Sequence, residues 1–120
     1  MMTLTDNLSK ELQQHLNKHY LINDAQIEQF QADGHILLRD VLHHDLIAEF
    51  GPKLEAAVAR RAEQQSAIPM DERTVYDQAF LQVTNLWETN EEIVPFVFNR
   101  CLARIASELM SCDGVRMYHD

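Results

Sequence analysis

Leucines stand at positions 4, 8, 12 and 16, with Lys10, Glu11, Gln13 and Gln14 between them and Lys18 just after. An apolar residue at every fourth position lays a stripe along one face of an α-helix. An amphipathic helix is therefore predicted from about Thr5 to His19, and its stripe needs a partner to cover it. The same spacing recurs with its own start and stop signals. The Asn23 side-chain oxygen can accept from the backbone N–H of Gln26 while the Gln26 side chain reaches back, a capping box with Ile22 and Ile27 placed as a hydrophobic staple. Gly34 ends that helix, because glycine enters the left-handed conformation without a Cβ penalty. From Asp45 a helix carries Ile47, Phe50, Leu54, Ala57, Val58 and Arg61. Pro52 inside it removes the hydrogen bond to the Ala48 carbonyl, so a kink or a break is expected. Ser66 to Arg73 reads as a loop around Pro69. Thr89-x-x-Glu92 is a capping box for a short turn interrupted by Pro95. Asn99 caps a better helix holding Leu102, Ile105, Ala106 and Leu109, which Asp113-Gly114 closes.

Strand signals are few. His35-Ile36-Leu37-Leu38-Arg39 is a short apolar run between Gly34 and Asp40, read as a strand over 36–39. Val115 to Asp120 alternates and reads as another strand. Tyr76 to Trp87 fits either a helix carrying Phe80, Val83 and Trp87 or a strand carrying Leu81 and Val83, and Leu81 to Leu86 is expected as strand. The predicted class is α+β, mainly helical, with two or three short strands. Such strands, separated by long helical stretches, cannot make an independently stable sheet, and the sequence reads as an incomplete domain.

Composition narrows the function classes. The 120 residues are 46% hydrophobic and 24% charged, an ordinary composition for one globular domain. Ten Lys and Arg against nineteen Asp and Glu give a net charge of -9. That charge disfavours nucleic acid and anionic membranes, both of which require basic surface. No stretch has the pattern of a signal peptide or a membrane span. Cys101 and Cys112 have no metal-finger or redox spacing and are expected as buried, inert thiols in a reducing cytoplasm.

His15 and His19, four apart on one helix, have the spacing of two ligands to a shared metal. Neither a third ligand nor an H-E-x-x-H pattern accompanies them, so a solvated polar face is expected. His43 and His44 are neighbours at a helix start and point apart. Three glycines, at 34, 51 and 114, make no phosphate-binding or dinucleotide fingerprint, and no nucleophile elbow is present. Asp71-Glu72 and Glu91-Glu92 read as solvated or capping charge rather than paired catalytic carboxylates. Trp87 and the nearby phenylalanines read as core.

The stretches IEQFQADGHILLRDVL at 27–42, AFLQVTNLWE at 79–88 and LARIASELMSCDGVRMYHD at 102–120 follow one another in an order and spacing that resemble the N-terminal portion of the phytanoyl-CoA dioxygenase family. The resemblance covers about four fifths of the chain. It implies the front of a double-stranded β-helix (jelly-roll) oxygenase, with an N-terminal helix over 1–22, a helical support region with short strands over 23–114 and a first barrel strand over 115–120. It further implies Fe(II) held by two histidines and an aspartate, 2-oxoglutarate chelating the iron, and hydroxylation of a small organic substrate. In the family the His-x-Asp pair follows the strand matching 115–120. No catalytic residue and no metal ligand is therefore expected here, and His119-Asp120 is not that pair. On the terminal strand Val115, Met117 and His119 share a face. The resemblance favours that face for the cofactor cavity and makes His119 a candidate to support a bound carboxylate or water without ligating metal. The other reading is a small acidic helical module that binds a partner protein and catalyses nothing.

Overall fold

The computed structural model describes residues 7–80 and 82–120. The expected roles of Leu4, Thr5 and Leu81 lie outside them. Helix α1 (Lys10–Leu16) starts where Ser9 Oγ accepts from the Leu12 N–H at 3.2 Å. Helix α2 (Asp24–Asp33) has both arms of its capping box, Gln26 N–H to Asn23 Oδ1 at 2.8 Å and Asn23 N–H to Gln26 Oε1 at 3.0 Å. Gly34 ends it at φ 76°, donating to the Phe30 carbonyl. Helix α3 (His44–Ser66) runs through Pro52 without the break that was one of the two expected outcomes there. A 3-10 turn at Met70–Glu72 precedes α4 (Val75–Ala79), and two more, Leu86–Glu88 and Glu91–Ile93, lead into α5 (Val94–Val97). Helix α6 (Arg100–Leu109) is capped by Asn99 Oδ1, which accepts from the Leu102 N–H at 2.8 Å.

Two predicted end signals are replaced. The Thr89 capping box does not form: Asn90 precedes the turn and spends its side chain elsewhere. Its Nδ2 donates to the Leu86 carbonyl at 2.7 Å and to Thr89 Oγ1, and its Oδ1 accepts from Arg60 of α3, which also reaches Glu92 Oε1 at 3.0 Å. The turns over 86–93 are thereby fastened to α3. Helix α6 is closed by Ser111 rather than Asp113-Gly114. Ser111 sits at φ 53°, its N–H donates to Glu108, and the Cys112 N–H donates to Ser107, the bond pattern of a Schellman motif. A non-glycine residue in the left-handed region is strained by its Cβ. Ser111→Gly is therefore expected to raise stability by about 0.5–1 kcal/mol after allowing for the freer unfolded chain, read as a higher denaturant midpoint at unchanged slope.

Packing divides into three clusters. Leu16 of α1 meets Leu46 and Phe50 of α3, with Leu8, Leu12, Leu42 and Phe96 around them. The covered face of α1 is thus the predicted leucine stripe. Ala57 of α3 meets Leu86 and Ile93, with Val83 and Trp87 beside them. Cys101, Ile105 and Leu109 of α6 receive Tyr20, Ile22, Phe30, Ile36, Leu38 and Val41.

The α+β expectation is overturned, and with it the double-stranded β-helix: among the described residues there is no strand and no sheet. At 36–39 the alternation is real, with Ile36 and Leu38 packed on α6 while Leu37 is 73% exposed. The surface it packs against is a helix, which takes side chains but offers no backbone ladder. Residues 82–85 belong to no helix or strand, and Leu86 enters a 3-10 turn instead of ending a strand. Residues 115–120 are exposed throughout and form no backbone ladder among the described residues. A period-two pattern sets which side chains face inward, but a sheet also needs a second chain segment alongside.

The resulting surface is large. The chain exposes 8867 Å², against about 6,700 Å² for a folded monomer of its mass. Its radius of gyration is 17.3 Å, against about 13.6 Å for a compact domain of this length.

Candidate functional site

The segment 115–120, which carries His119, lies beside α3, α5 and α6 and borders two adjoining grooves. One, about 350 Å³, is lined by Leu54, Val58, Phe96, Leu102, Met117 and His119 among others. The second, about 470 Å³, runs along α6 past Phe98, Ala106, Met110, Val115 and Tyr118. The walls are apolar because α6 presents two faces. Cys101, Ile105 and Leu109 turn inward, whereas Leu102 and Met110 remain 40% and 48% exposed on the groove side.

Two of the three stretches that carry the family resemblance meet at the groove, and the first packs on the other face of α6. Ile36, Leu38 and Val41 of the first pack on α6 of the third. Val83 and Leu86 of the second line the groove together with Met117 and His119 of the third. The Trp87 backbone N–H donates to Asp120 Oδ2 at 3.3 Å, and the Trp87 ring stands edge-on to Phe98 at 5.1 Å. Two buried polar atoms here, Asn85 Oδ1 and Trp87 Nε1, have no hydrogen-bond partner among the described residues. Asn85 itself is in the left-handed conformation at φ 54°.

His119 is exposed at the groove rim, with Nδ1 at 3.2 Å from the Asp120 carbonyl and its ring 4.8 Å from Tyr118. One imidazole and one carboxylate already engaged by Trp87, set among aliphatic side chains, do not make a two-histidine, one-carboxylate iron site. The groove does not fit Fe(II), and no chemical step is assigned to it.

The other histidines do not keep their sequence pairing. His15 and His19 diverge: His19 Nε2 meets Glu108 Oε1 of α6 at 2.8 Å, while His15 stacks on His43 with ring centroids 3.7 Å apart and planes 9° from parallel. His43 Nδ1 accepts from the Asp45 N–H at 3.1 Å, which caps α3. Partial burial, followed by the neighbouring His15 and His44, lowers the His43 pKa below the ordinary histidine value, against an opposing pull from Asp45. His15, His43 and Asp45 form a cluster that sequence spacing missed. Its members come from α1 and from the start of α3, and only the packing of one on the other brings them together.

The thiols also differ from each other. Cys101 is fully buried, and burial pushes its pKa up. Cys112 is exposed, against expectation, with Sγ at 3.3 Å from the Gly114 carbonyl. Among the described residues no helix is long and apolar enough to cross a membrane.

Comparison with protein-family models, curated proteins and solved structures returned no match for this chain.

Proposed function

We propose that this chain is the helical N-terminal portion of a non-haem Fe(II)- and 2-oxoglutarate-dependent dioxygenase of the phytanoyl-CoA dioxygenase type, acting on a small organic substrate in the cytoplasm. By itself it is inactive, and the iron ligands come from sequence after Asp120. The observation that carries the reading is the surplus surface. About 2,200 Å² more is exposed than a folded monomer of this mass leaves open, well above the roughly 800 Å² that one partner gives to an ordinary protein interface. The surplus includes the apolar walls beside 115–120, where the resemblance places the junction with the catalytic part. The family assignment itself rests on the three quoted stretches. Two free thiols fit a reducing compartment.

Translating the coding sequence downstream of Asp120 tests this. A continuation with a His-x-Asp pair and a later histidine is expected. An immediate stop codon, with a stable and monodisperse 120-residue product, favours the second reading, a partner-binding helical module. That reading is supported by the exposed Phe98, Leu102, Met110, Met117 and Tyr118 on the same face.

A further inference from the structure

We propose that His15, His43 and Asp45 form a binding site for a divalent transition metal of the Zn²⁺ class, clasping the end of α1 to the start of α3. The inference is independent of the oxygenase reading and concerns a different place in the molecule. Three groups from two elements each offer one ligand atom, and those atoms lie within 4.8 Å of one another. Asp45 Oδ2 stands 3.5 Å from His43 Nδ1 and 3.9 Å from His15 Nε2. A tetrahedral ion with bonds of about 2.0–2.1 Å holds its ligand atoms about 3.3 Å apart, so the two carboxylate gaps need to close by about 0.2 and about 0.6 Å and the gap between the two imidazoles by up to about 1.5 Å.

The donor set selects the ion. Two imidazoles and one carboxylate suit Zn²⁺, Co²⁺ or Ni²⁺ better than Mg²⁺ or Ca²⁺, which prefer all-oxygen shells, and Fe²⁺ binds such a set more weakly than these later metals. Three protein ligands leave the fourth position to water. His44 Nε2, at 3.2 Å from Asp45 Oδ1, engages the other carboxylate oxygen and leaves Oδ2 for the ion.

The opposing costs are specific. The stacked rings must splay, and His43 must release the Asp45 N–H that it caps. The His15 and His43 side chains are 25% and 35% exposed, which leaves room to turn. The positive end of α3 disfavours a cation, whereas the negative end of α1, where His15 sits in the last turn, favours it. The chain's net charge of -9 adds a general attraction.

Calorimetric titration of the metal-free 120-residue chain with Zn²⁺, together with Co²⁺ absorption and thermal unfolding, tests the site. The expected result is one ion per chain with low-micromolar affinity, visible Co²⁺ d–d bands, and a melting temperature raised by saturating Zn²⁺. His15→Gln and Asp45→Asn should each weaken binding by at least the roughly 10- to 100-fold typical of losing a ligand's supporting partner. His43→Asn should do the same while keeping a good helix cap, so its effect reports the metal rather than the fold. His19→Ala, on the neighbouring turn, should bind as the parent does. No saturable binding tighter than about 100 µM would overturn the proposal. So would affinity retained in His43→Asn, or a loss in His19→Ala as large as in His15→Gln.

Discussion

Replacing Phe50 by alanine is expected to cost about 3–5 kcal/mol and to lower the melting temperature by roughly 10–20 °C. Phe50 is 0% exposed and sits where α1 docks on α3, against Leu16 and Leu46, with the Phe96 ring 5.3 Å away and the Lys53 ammonium 5.1 Å from its ring centre. Removing the ring loses its burial and leaves a cavity that three different elements would have to collapse to fill. Because the core is split into three small clusters, total stability is expected near the low end of the usual 5–15 kcal/mol, so the loss is a large share of it. Phe98→Ala, at a ring 45% exposed, should cost much less in the same chain. Denaturant unfolding monitored by circular dichroism distinguishes the two, and a Phe50→Ala cost below about 1 kcal/mol would mean that α1 is not docked as described.

The second large effect would be read in the proposed oxygenase, expressed with the coding sequence downstream of Asp120. There His119→Ala is expected to lower turnover or 2-oxoglutarate affinity by the roughly 10- to 100-fold seen when a group supporting a metal-bound ligand is lost. Arg116→Ala should matter less, because Arg116 lines the neighbouring groove and not the one that His119 borders. The motive is position: His119 and Met117 share the wall of the apolar groove with Leu54 and Phe96, where the polar side chains are His119 and Asp120, the latter already accepting from the Trp87 N–H. Turnover unchanged in His119→Ala, at matched melting temperature, would leave the histidine a rim residue without a role.

Features set by neighbours in sequence are legible in the sequence itself. The Asn23 box, the Gly34 stop and the Asn99 cap depend on residues within four positions of each other, and each formed as read. The stripe over Leu8, Leu12 and Leu16 was likewise enough to identify the buried face of α1. Features set by distant partners were not legible. Ile36 and Leu38 alternate as a strand does, yet what lies opposite is α6, and no ladder follows. The Thr89 box lost to Asn90 because Arg60, thirty residues earlier on α3, supplies a charge-assisted bond that draws the Asn90 side chain away from capping. Ser111 took the left-handed position ahead of Gly114 because α6 ends where its buried face ends, at Leu109. The histidines carry the same lesson for function. Spacing pairs His15 with His19, whereas packing gives His15 to His43 and Asp45 and gives His19 to Glu108.

The central claim is that these helices support an oxygenase whose iron ligands lie elsewhere in sequence, and iron-dependent formation of succinate from 2-oxoglutarate tests it most directly. The measurement is made on the 120-residue chain and on the chain extended by its downstream coding sequence, each with Fe(II), ascorbate and O₂, and each repeated with chelator. The expected result is no succinate above background from the 120-residue chain, with or without added iron, and chelator-sensitive succinate from the extended protein. Chelator-sensitive succinate from the 120 residues alone, or none from an extended protein that is folded and binds iron, would contradict the account.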